Sequence, residues 1–385
     1  MVPQNAPIGD RSLDPIAACR VVYLAEADGR HPATHRYLSG LALAGRIAAL
    51  KRCEFVGPYD VSASLGKQLY FVTNETLIGR NRALQLGIES EDDLFGGAAP
   101  YGFVATKSIG HPLIANAAAV PAGWSKDFAN EVSQAVLVGF SSFSLADAHR
   151  AGLSLLGRGP FRLKPGAAEG GLEQVVVSRV ADLEAAIDGL KQAEIERCGV
   201  VLEEELVDTI TCSVGRVKIG DLLATYCGTQ QLTRNNAGAT AYGGSTLFVA
   251  RGDFDNLLES DIAPNDRLAV AQARLYDGAA FRHFPGLIAS RRNYDIVQGQ
   301  DVDGQHRSAV LEQSWRLGGS TGAEVVALEA FAAEPRLKAV RAACVEAYGE
   351  NPAIPADALI YFHGDDPDVG PLTKYARVEA RHHAL

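Results

Sequence analysis

Short apolar runs and helical stretches alternate along the first hundred residues of the chain. The run RVVYLAE (20–26) is rich in β-branched and aromatic residues and predicts a buried strand, while Tyr37 to Leu50 has apolar residues at helical spacing. Further strand-like runs lie at 68–73 and 103–106. This βαβαβ order predicts an open parallel sheet of the Rossmann-like kind. No glycine fingerprint for a dinucleotide follows the first strand, so the pattern does not predict an NAD site.

From residue 160 onward the pattern changes to strands separated by tight loops. Strands are predicted at 161–165, 174–179, 199–206, 209–217, 222–228, 246–252, 286–299, 308–314 and 358–362. Helices are predicted from Ser125 to Leu137, from Ser144 onward, and at 181–195, 265–283, 321–333 and 335–348. A Pro/Gly-rich stretch up to residue 124 marks a boundary. We therefore predict an amino-terminal α/β domain (1–124), a central domain (125–349) and a carboxy-terminal strand and tail (350–385).

Composition describes an ordinary globular chain of 385 residues with a net charge of −10. The acidic balance argues against binding to nucleic acid or an anionic membrane. No run approaches the ~20 apolar residues of a membrane helix, and the start of the chain does not have the pattern of a signal peptide. The cysteines form no CxxC pair, which excludes zinc-ribbon and redox-pair motifs and predicts small core residues in a reducing cytoplasm. They are Cys19, Cys53, Cys198, Cys212, Cys227 and Cys344.

The segment RLKPGAAEGGLEQVVV (162–177) places a lysine just before a glycine-rich loop. It predicts a β-hairpin whose tip carries Gly166, Gly170 and Gly171. Such a tip can bring backbone N–H groups to a polyphosphate, while Lys164 supplies a positive charge from the strand. The segment is not a P-loop, because its lysine precedes the glycines. An ordinary surface turn explains the same residues equally well.

The segment VVLEEEL (200–206) is an apolar strand that runs into three acidic residues. Buried carboxylates need partners, so the strand cannot continue inward without cost. Its end could offer backbone groups to an adenine edge and a carboxylate to a ribose hydroxyl. The alternative is an exposed acidic strand end.

Asp295 and Glu312 are predicted to lie on neighbouring antiparallel strands, with Ser314 on the same face as Glu312. Two carboxylates beside a polyphosphate supply the oxygen ligands that Mg²⁺ prefers. Arg316, two residues further on, offers a planar fork for an oxyanion. A cluster of salt bridges at a sheet edge is the alternative.

The order of these features resembles the ATP-grasp superfamily. Its members have a lysine on a strand, a glycine-rich loop, an apolar–Glu–Glu hinge and a D…ExN carboxylate pair followed by arginine, a match that spans residues 125–330 here. The segments DDLFGGAAPYGFVATK, GPFRLKP, YCGTQQLTRNNAGATAYGGS and LEQSWRLGGSTGAE look like an uncharacterised bacterial family within that superfamily. This second resemblance covers nearly the whole chain.

The resemblance implies an α/β (α+β) ATP-grasp fold behind an amino-terminal Rossmann-like domain, with ATP and Mg²⁺ as cofactors. It implies the following roles: Lys164, Gly166, Gly170 and Gly171 at the phosphates; Glu203, Glu204, Leu206 and Asp208 at the adenosine; Asp295, Glu312 and Ser314 at Mg²⁺. Arg316 would steady the transferring phosphoryl group, and Arg292 is a second catalytic candidate. Lys107 and Lys126 are both candidates for a further lysine that contacts ATP.

The implied reaction is an ATP-dependent ligation. A small-molecule carboxylate is activated as an acyl phosphate and joined to an amine or thiol; neither substrate is indicated. Two residues depart from the superfamily pattern: Ser314 replaces the asparagine of the ExN motif, and Glu169 interrupts the glycine loop. They favour the alternative of a non-catalytic ATP-binding protein. A small-molecule phosphotransferase is a second alternative, because the resemblance to the superfamily also implies this reaction. A homodimer is the default assembly, since dimers are the commonest soluble oligomers.

Overall fold

The computed structural model describes residues 19–25, 33–62, 69–168 and 173–384. Its amino-terminal part comprises β1 (Arg20–Leu24), α1 (His35–Lys51), β2 (Glu54–Pro58), β3 (Leu69–Thr73), β4 (Leu77–Ile78), α2 (Arg80–Gln85), β5 (Leu94–Phe95) and β6 (Gly97–Ala99). Four of these strands form a parallel sheet in the order β2-β1-β3-β5, which confirms the Rossmann-like prediction. The strand predicted at 103–106 is wrong, because Gly102–Ala105 forms a short 3-10 turn, which a second one (Lys107–Ile109) follows.

A second, antiparallel sheet follows, in the order β7-β10-β8-β9. This part comprises α3 (Lys126–Glu131), β7 (Gly139–Ser142), α4 (Leu145–Leu156), β8 (Phe161–Pro165), β9 (Val175–Val177), α5 (Val180–Asp188), α6 (Gln192–Cys198) and β10 (Val200–Glu204). Leu163 and Leu202 pack with Leu155 and Leu183 on one face of the sheet. Side chains alternate along a strand, so Lys164 and Glu203 lie on the opposite face. The helix predicted at 181–195 is divided into α5 and α6.

The largest sheet has eight strands in the order β16-β15-β11-β12-β13-β17-β19-β18. This part comprises β11 (Val207–Ile219), β12 (Leu222–Arg234), β13 (Thr240–Arg251), α7 (Phe254–Glu259), α8 (Pro264–His283), β14 (Ile288–Ala289), β15 (Arg291–Gln300), β16 (His306–Ser314), α9 (Thr321–Ala333), β17 (Ala339–Tyr348), β18 (Leu359–Asp366) and β19 (Gly370–His382). Neighbouring strands in it are antiparallel.

The two faces of the eight-stranded sheet belong to different cores. Ala273 of α8 packs with Val214 and Tyr294 on one face. On the other face, Val217 shares a core with Ile47 of α1 and Leu328 of α9. The amino-terminal domain is therefore fused to the large sheet through a common hydrophobic core.

Two predictions about the last third of the chain are corrected. Residues 335–348 contain β17, where the sequence pattern predicts a helix, because its alanines fill narrow positions beneath α9 (Ala342 is buried in the same core as Leu328). The boundary predicted at 349/350 does not separate a unit, since β18 and β19 continue the sheet beside β17.

The cysteines also differ in part from the prediction. Cys198, Cys212, Cys227 and Cys344 are free and buried, as core residues would be. Cys19 and Cys53, however, are joined as a disulfide between the ends of β1 and α1. Within the described ranges, no helix is both long and apolar enough to span a membrane.

Candidate active site

Lys164 belongs to a buried ionic triad on the inner face of the smaller antiparallel sheet. Its ammonium group contacts Oε1 of Glu203, and Nε2 of His111 lies 2.8 Å from Oε2 of the same carboxylate. All three side chains are almost fully buried. Burial pushes the pKa of Glu203 upward, but Lys164 and His111 more than offset this and lower it to about 2. The charge on Glu203 therefore persists across the physiological range.

Gly166 has a packing role at the end of β8. A Cβ atom there would lie 2.2 Å from the backbone oxygen of Cys198, and the Gly166 N–H donates to the oxygen of Gly199 over 2.8 Å. Only glycine permits this close approach between the loop and β10. Gly170 and Gly171, and the interrupting Glu169, lie outside the described residues.

Asp295 and Glu312 stand directly opposite each other on β15 and β16. Their positions follow from the hairpin that the sequence predicts. Asn293 Nδ2 donates to Oδ1 of Asp295 over 2.9 Å. Burial in the cleft and the charge on Glu312 raise the pKa of Asp295 to about 6. Two carboxylates held this close repel each other when both are charged, and a bound cation would relieve this repulsion.

Lys107 connects this carboxylate pair to the loop after Lys164. Its Nζ lies 3.1 Å from Oε2 of Glu312 and donates to the backbone oxygen of Ala168 over 2.5 Å. Gln313 positions the lysine, because its Nε2 donates to the backbone oxygens of Val104 and Thr106 over 2.8 and 2.7 Å. Lys126, the other candidate, is exposed at the start of α3.

A buried polar network that sequence reasoning misses lies beneath the carboxylate pair. Arg291 donates to both oxygens of Glu324 at 2.7–3.2 Å, and Tyr226 reaches Glu324 and Asn293. The guanidinium of Arg291 also donates to Oγ of Ser314 over 3.3 Å. The predicted metal ligand Ser314 is thus already engaged with a cationic group. The signal in the sequence is the period-2 pattern Arg-x-Asn-x-Asp from residue 291.

The hinge between the two antiparallel sheets lies at the end of β10. Glu204 accepts from the Val138 N–H over 3.1 Å, which ties the hinge to the residue immediately before β7. Leu206 is buried in a small apolar cluster at the same end of the cleft, together with Leu137, Val297, Ala309 and Leu311. Val297 is two residues beyond Asp295 and shares its face. Asp208 is exposed and has a left-handed backbone, with φ of 51°.

The two predicted arginines have different surroundings. Arg316 follows β16, and its Nε lies 3.5 Å from Oε2 of Glu75, the second residue after β3. Arg292 is corrected: alternation along β15 turns it away from Asp295. It pairs instead with Asp277 and Glu91, at 3.1 Å each, and stacks over the Phe281 ring. Its role is to hold the amino-terminal domain against α8.

These residues fit a magnesium nucleotide. Asp295 and Glu312 supply hard oxygen ligands, and Mg²⁺ usually takes only one or two carboxylates, completing its shell with phosphate and water. No group of three or more His, Cys, Asp or Glu side chains suited to a metal occurs among the residues that the structure covers.

Solved structures with the same architecture are ATP-grasp enzymes. N5-carboxyaminoimidazole synthetase from Staphylococcus aureus has a TM-score of 0.53 at 12% identity, covering 94% of this chain and 93% of that one. Biotin carboxylase from Campylobacter jejuni, solved with a β,γ-ATP ligand, has a TM-score of 0.51 at 11% identity, covering 93% and 87%. The biotin carboxylase domain of the Hydrogenobacter thermophilus 2-oxoglutarate carboxylase, solved as a dimer with MgADP, ADP and bicarbonate, has a TM-score of 0.50 at 14% identity, covering 93% and 86%.

The chain therefore has the ATP-grasp fold, as the sequence motifs predict. More narrowly, it belongs to the family described as "Protein of unknown function (DUF3182)", whose model matches residues 22–376. No curated protein sequence matches it.

Proposed function

We propose that this protein is an ATP- and Mg²⁺-dependent ligase that activates a small-molecule carboxylate as an acyl phosphate. The observation that carries the proposal is the position of Lys107, which contacts both the loop after Lys164 and the Asp295–Glu312 pair. The ammonium group of Lys107 thus links the part of the cleft suited to phosphates with the part suited to a metal. A cluster of salt bridges at the edge of a sheet would be expected to lie exposed to solvent, not buried at this junction.

The protein side chains have distinct tasks in this reaction. Lys107 and Lys164 hold the phosphate oxygens, and the apolar cluster at Leu206 holds the base. A bound Mg²⁺, held by Asp295 and Glu312, would neutralise charge on the β- and γ-phosphates. Arg316 stabilises the charge that develops on the transferring phosphoryl group.

The proposed ligation has two chemical steps. An oxygen of the substrate carboxylate attacks the γ-phosphorus, the bond to the bridging oxygen breaks, and ADP leaves. The amine or thiol then attacks the carbonyl carbon of the acyl phosphate, loses its proton and displaces inorganic phosphate.

Hydroxylamine trapping tests the proposal without knowledge of the acceptor. Hydroxylamine displaces phosphate from acyl phosphates and leaves a hydroxamate, so pools of small carboxylic acids can be screened for ADP release that requires both the acid and ATP. Glu312→Gln and Lys107→Met should abolish the signal. Glu350→Gln, which removes an exposed carboxylate after β17, is the matched control.

The engagement of Ser314 by Arg291 favours one alternative, an ATP-binding protein without ligase activity. That protein would bind ATP and give no hydroxamate with any acid pool. A phosphotransferase would leave phosphate on the acceptor, and a ligase releases free phosphate.

A further inference from the structure

Asn293 occupies a special position relative to Ser314, the residue that departs from the ATP-grasp pattern. The two residues stand opposite each other on β15 and β16, two residue pairs along from Asp295 and Glu312 and therefore on the same face of the sheet. Asn293 is buried and lies on the same face as Asp295, two residues before it. An amide side chain is therefore present next to the carboxylate pair, on the strand of Asp295 and opposite Ser314.

The hydrogen bonds around Asn293 allow two arrangements. The Tyr226 hydroxyl lies 2.9 Å from Oδ1 of Asn293 and 2.7 Å from Oε1 of Glu324. A tyrosine hydroxyl has one hydrogen, so it donates to only one of these oxygens at a time. When it donates to Asn293, the amide nitrogen donates to Asp295.

The second arrangement turns the amide over. Tyr226 then donates to Glu324, and Nδ2 of Asn293 donates to the tyrosine oxygen. The carbonyl oxygen of Asn293 now faces Oδ1 of Asp295, and no hydrogen lies between these two acceptors. A hard cation bound by both oxygens removes the repulsion, because carboxylate and amide oxygens are its preferred ligands.

We propose that Asn293 is a side-chain oxygen ligand of the Mg²⁺–ATP complex, in place of the asparagine that Ser314 replaces. This inference rests on the proposed function, since the metal arrives with the nucleotide. Tyr226 is the positioning residue, because the direction of its single proton decides which end of the amide faces the cleft. The hydroxyl of Ser314 is already held by Arg291, whereas Asn293 hydrogen-bonds directly to Asp295.

Titration calorimetry of ATP in excess Mg²⁺ and in EDTA tests this assignment. Wild type, Asn293→Ala, Asn293→Asp and the double variant Asn293→Ala/Ser314→Asn are compared, with thermal unfolding as the check on folding. We expect Asn293→Ala to lose about tenfold or more of the Mg²⁺-dependent gain in affinity, in the range of supporting residues at metal sites. The affinity in EDTA should not change. Ser314→Asn should restore the gain, because it returns a carbonyl ligand to the opposite strand.

The substitution Asn293→Asp nearly preserves the shape of the side chain. It distinguishes a role of Asn293 as metal ligand from a role as hydrogen-bond donor to Asp295. A ligand role predicts that the carboxylate retains the Mg²⁺-dependent gain. A donor role predicts that it loses the gain, because two like charges would face each other. The assignment is overturned if Asn293→Ala keeps the gain that wild type shows, or if Asn293→Asp loses as much as Asn293→Ala. A wild-type protein that gains nothing from Mg²⁺ overturns the proposed function as well, which distinguishes the two failures.

Discussion

Lys107 and Glu312 form an ion pair across the cleft, with Nζ 3.1 Å from Oε2 and the lysine almost fully buried. They are distant in the chain and meet because the 3-10 turn that carries Lys107 packs against β16. In the absence of a nucleotide, each satisfies the charge of the other. Binding of a magnesium nucleotide would exchange this pair for two stronger ones, with Glu312 on the metal and Lys107 on the phosphates.

Lys107→Met should weaken binding of ATP in excess Mg²⁺ by about tenfold or more. A hydrogen bond to a charged group contributes about 1.5–3 kcal/mol, and 1.4 kcal/mol corresponds to a factor of ten. Isothermal titration measures the change. Lys126→Met is the matched control, since it removes an exposed lysine near the start of α3. Equal effects of the two substitutions on ATP binding would contradict the assignment of Lys107 to the nucleotide site.

Gln313→Leu should also weaken ATP binding, although Gln313 is expected not to contact the nucleotide. Its amide holds the backbone oxygens of Val104 and Thr106, and so places Lys107 against Glu312. If this is its function, combining Gln313→Leu with Lys107→Met should weaken binding no further than Lys107→Met alone. Additive losses in the double-mutant cycle would mean that Gln313 acts independently of Lys107.

Glu203→Gln should destabilise the fold at neutral pH by about 3 kcal/mol, because it leaves the ammonium of Lys164 buried without a counter-charge. The pKa of Glu203 is lowered to about 2, below its unfolded value, so the unfolded chain binds more protons between these values. The contribution of Glu203 is therefore complete above pH 5 and lost as the pH falls toward 2. Urea unfolding at pH 7 and 3.5 should show a smaller difference between variant and wild type at the lower pH. A difference independent of pH would contradict this account of the triad.

Asp295→Asn should have the opposite effect on stability. The pKa of Asp295 is raised to about 6, so the proton that stabilises it in the fold is lost as the pH rises through this value. The variant stays neutral, and its free energy of unfolding should rise relative to wild type by about 1–3 kcal/mol between pH 4 and 7. Denaturant melts at both pH values measure this. A variant that becomes relatively less stable at pH 7 would show that the carboxylate pair is not repulsive.

The carboxylate pair was predictable because it depends on one hairpin. Once β15 and β16 are read as antiparallel strands, alternation and the short connection place Asp295 opposite Glu312. Lys164 and Glu203 are each predicted on a strand, but the pairing of these two strands appears only in the structure. The sequence could not show that Lys107 and His111 lie beside these residues, since their positions depend on contacts between elements far apart in sequence.

Local patterns also failed where packing overrides propensity. The alanine-rich 335–348 segment has helical spacing, yet α9 lies over it and requires small side chains in a strand. From the sequence, Arg292 is a catalytic candidate. The strand period turns it to the other face, where Asp277 and Phe281 hold it.

The most direct test of the central claim is isothermal titration of ATP, with and without Mg²⁺, into wild type and Glu312→Ala. We expect wild type to bind ATP more tightly with Mg²⁺ and the variant to lose that gain. In EDTA, the variant should bind ATP at least as well as wild type, because Lys107 is released from its ion pair. A gain from Mg²⁺ that persists in Glu312→Ala, or a wild type that does not bind ATP under either condition, would contradict the proposed site.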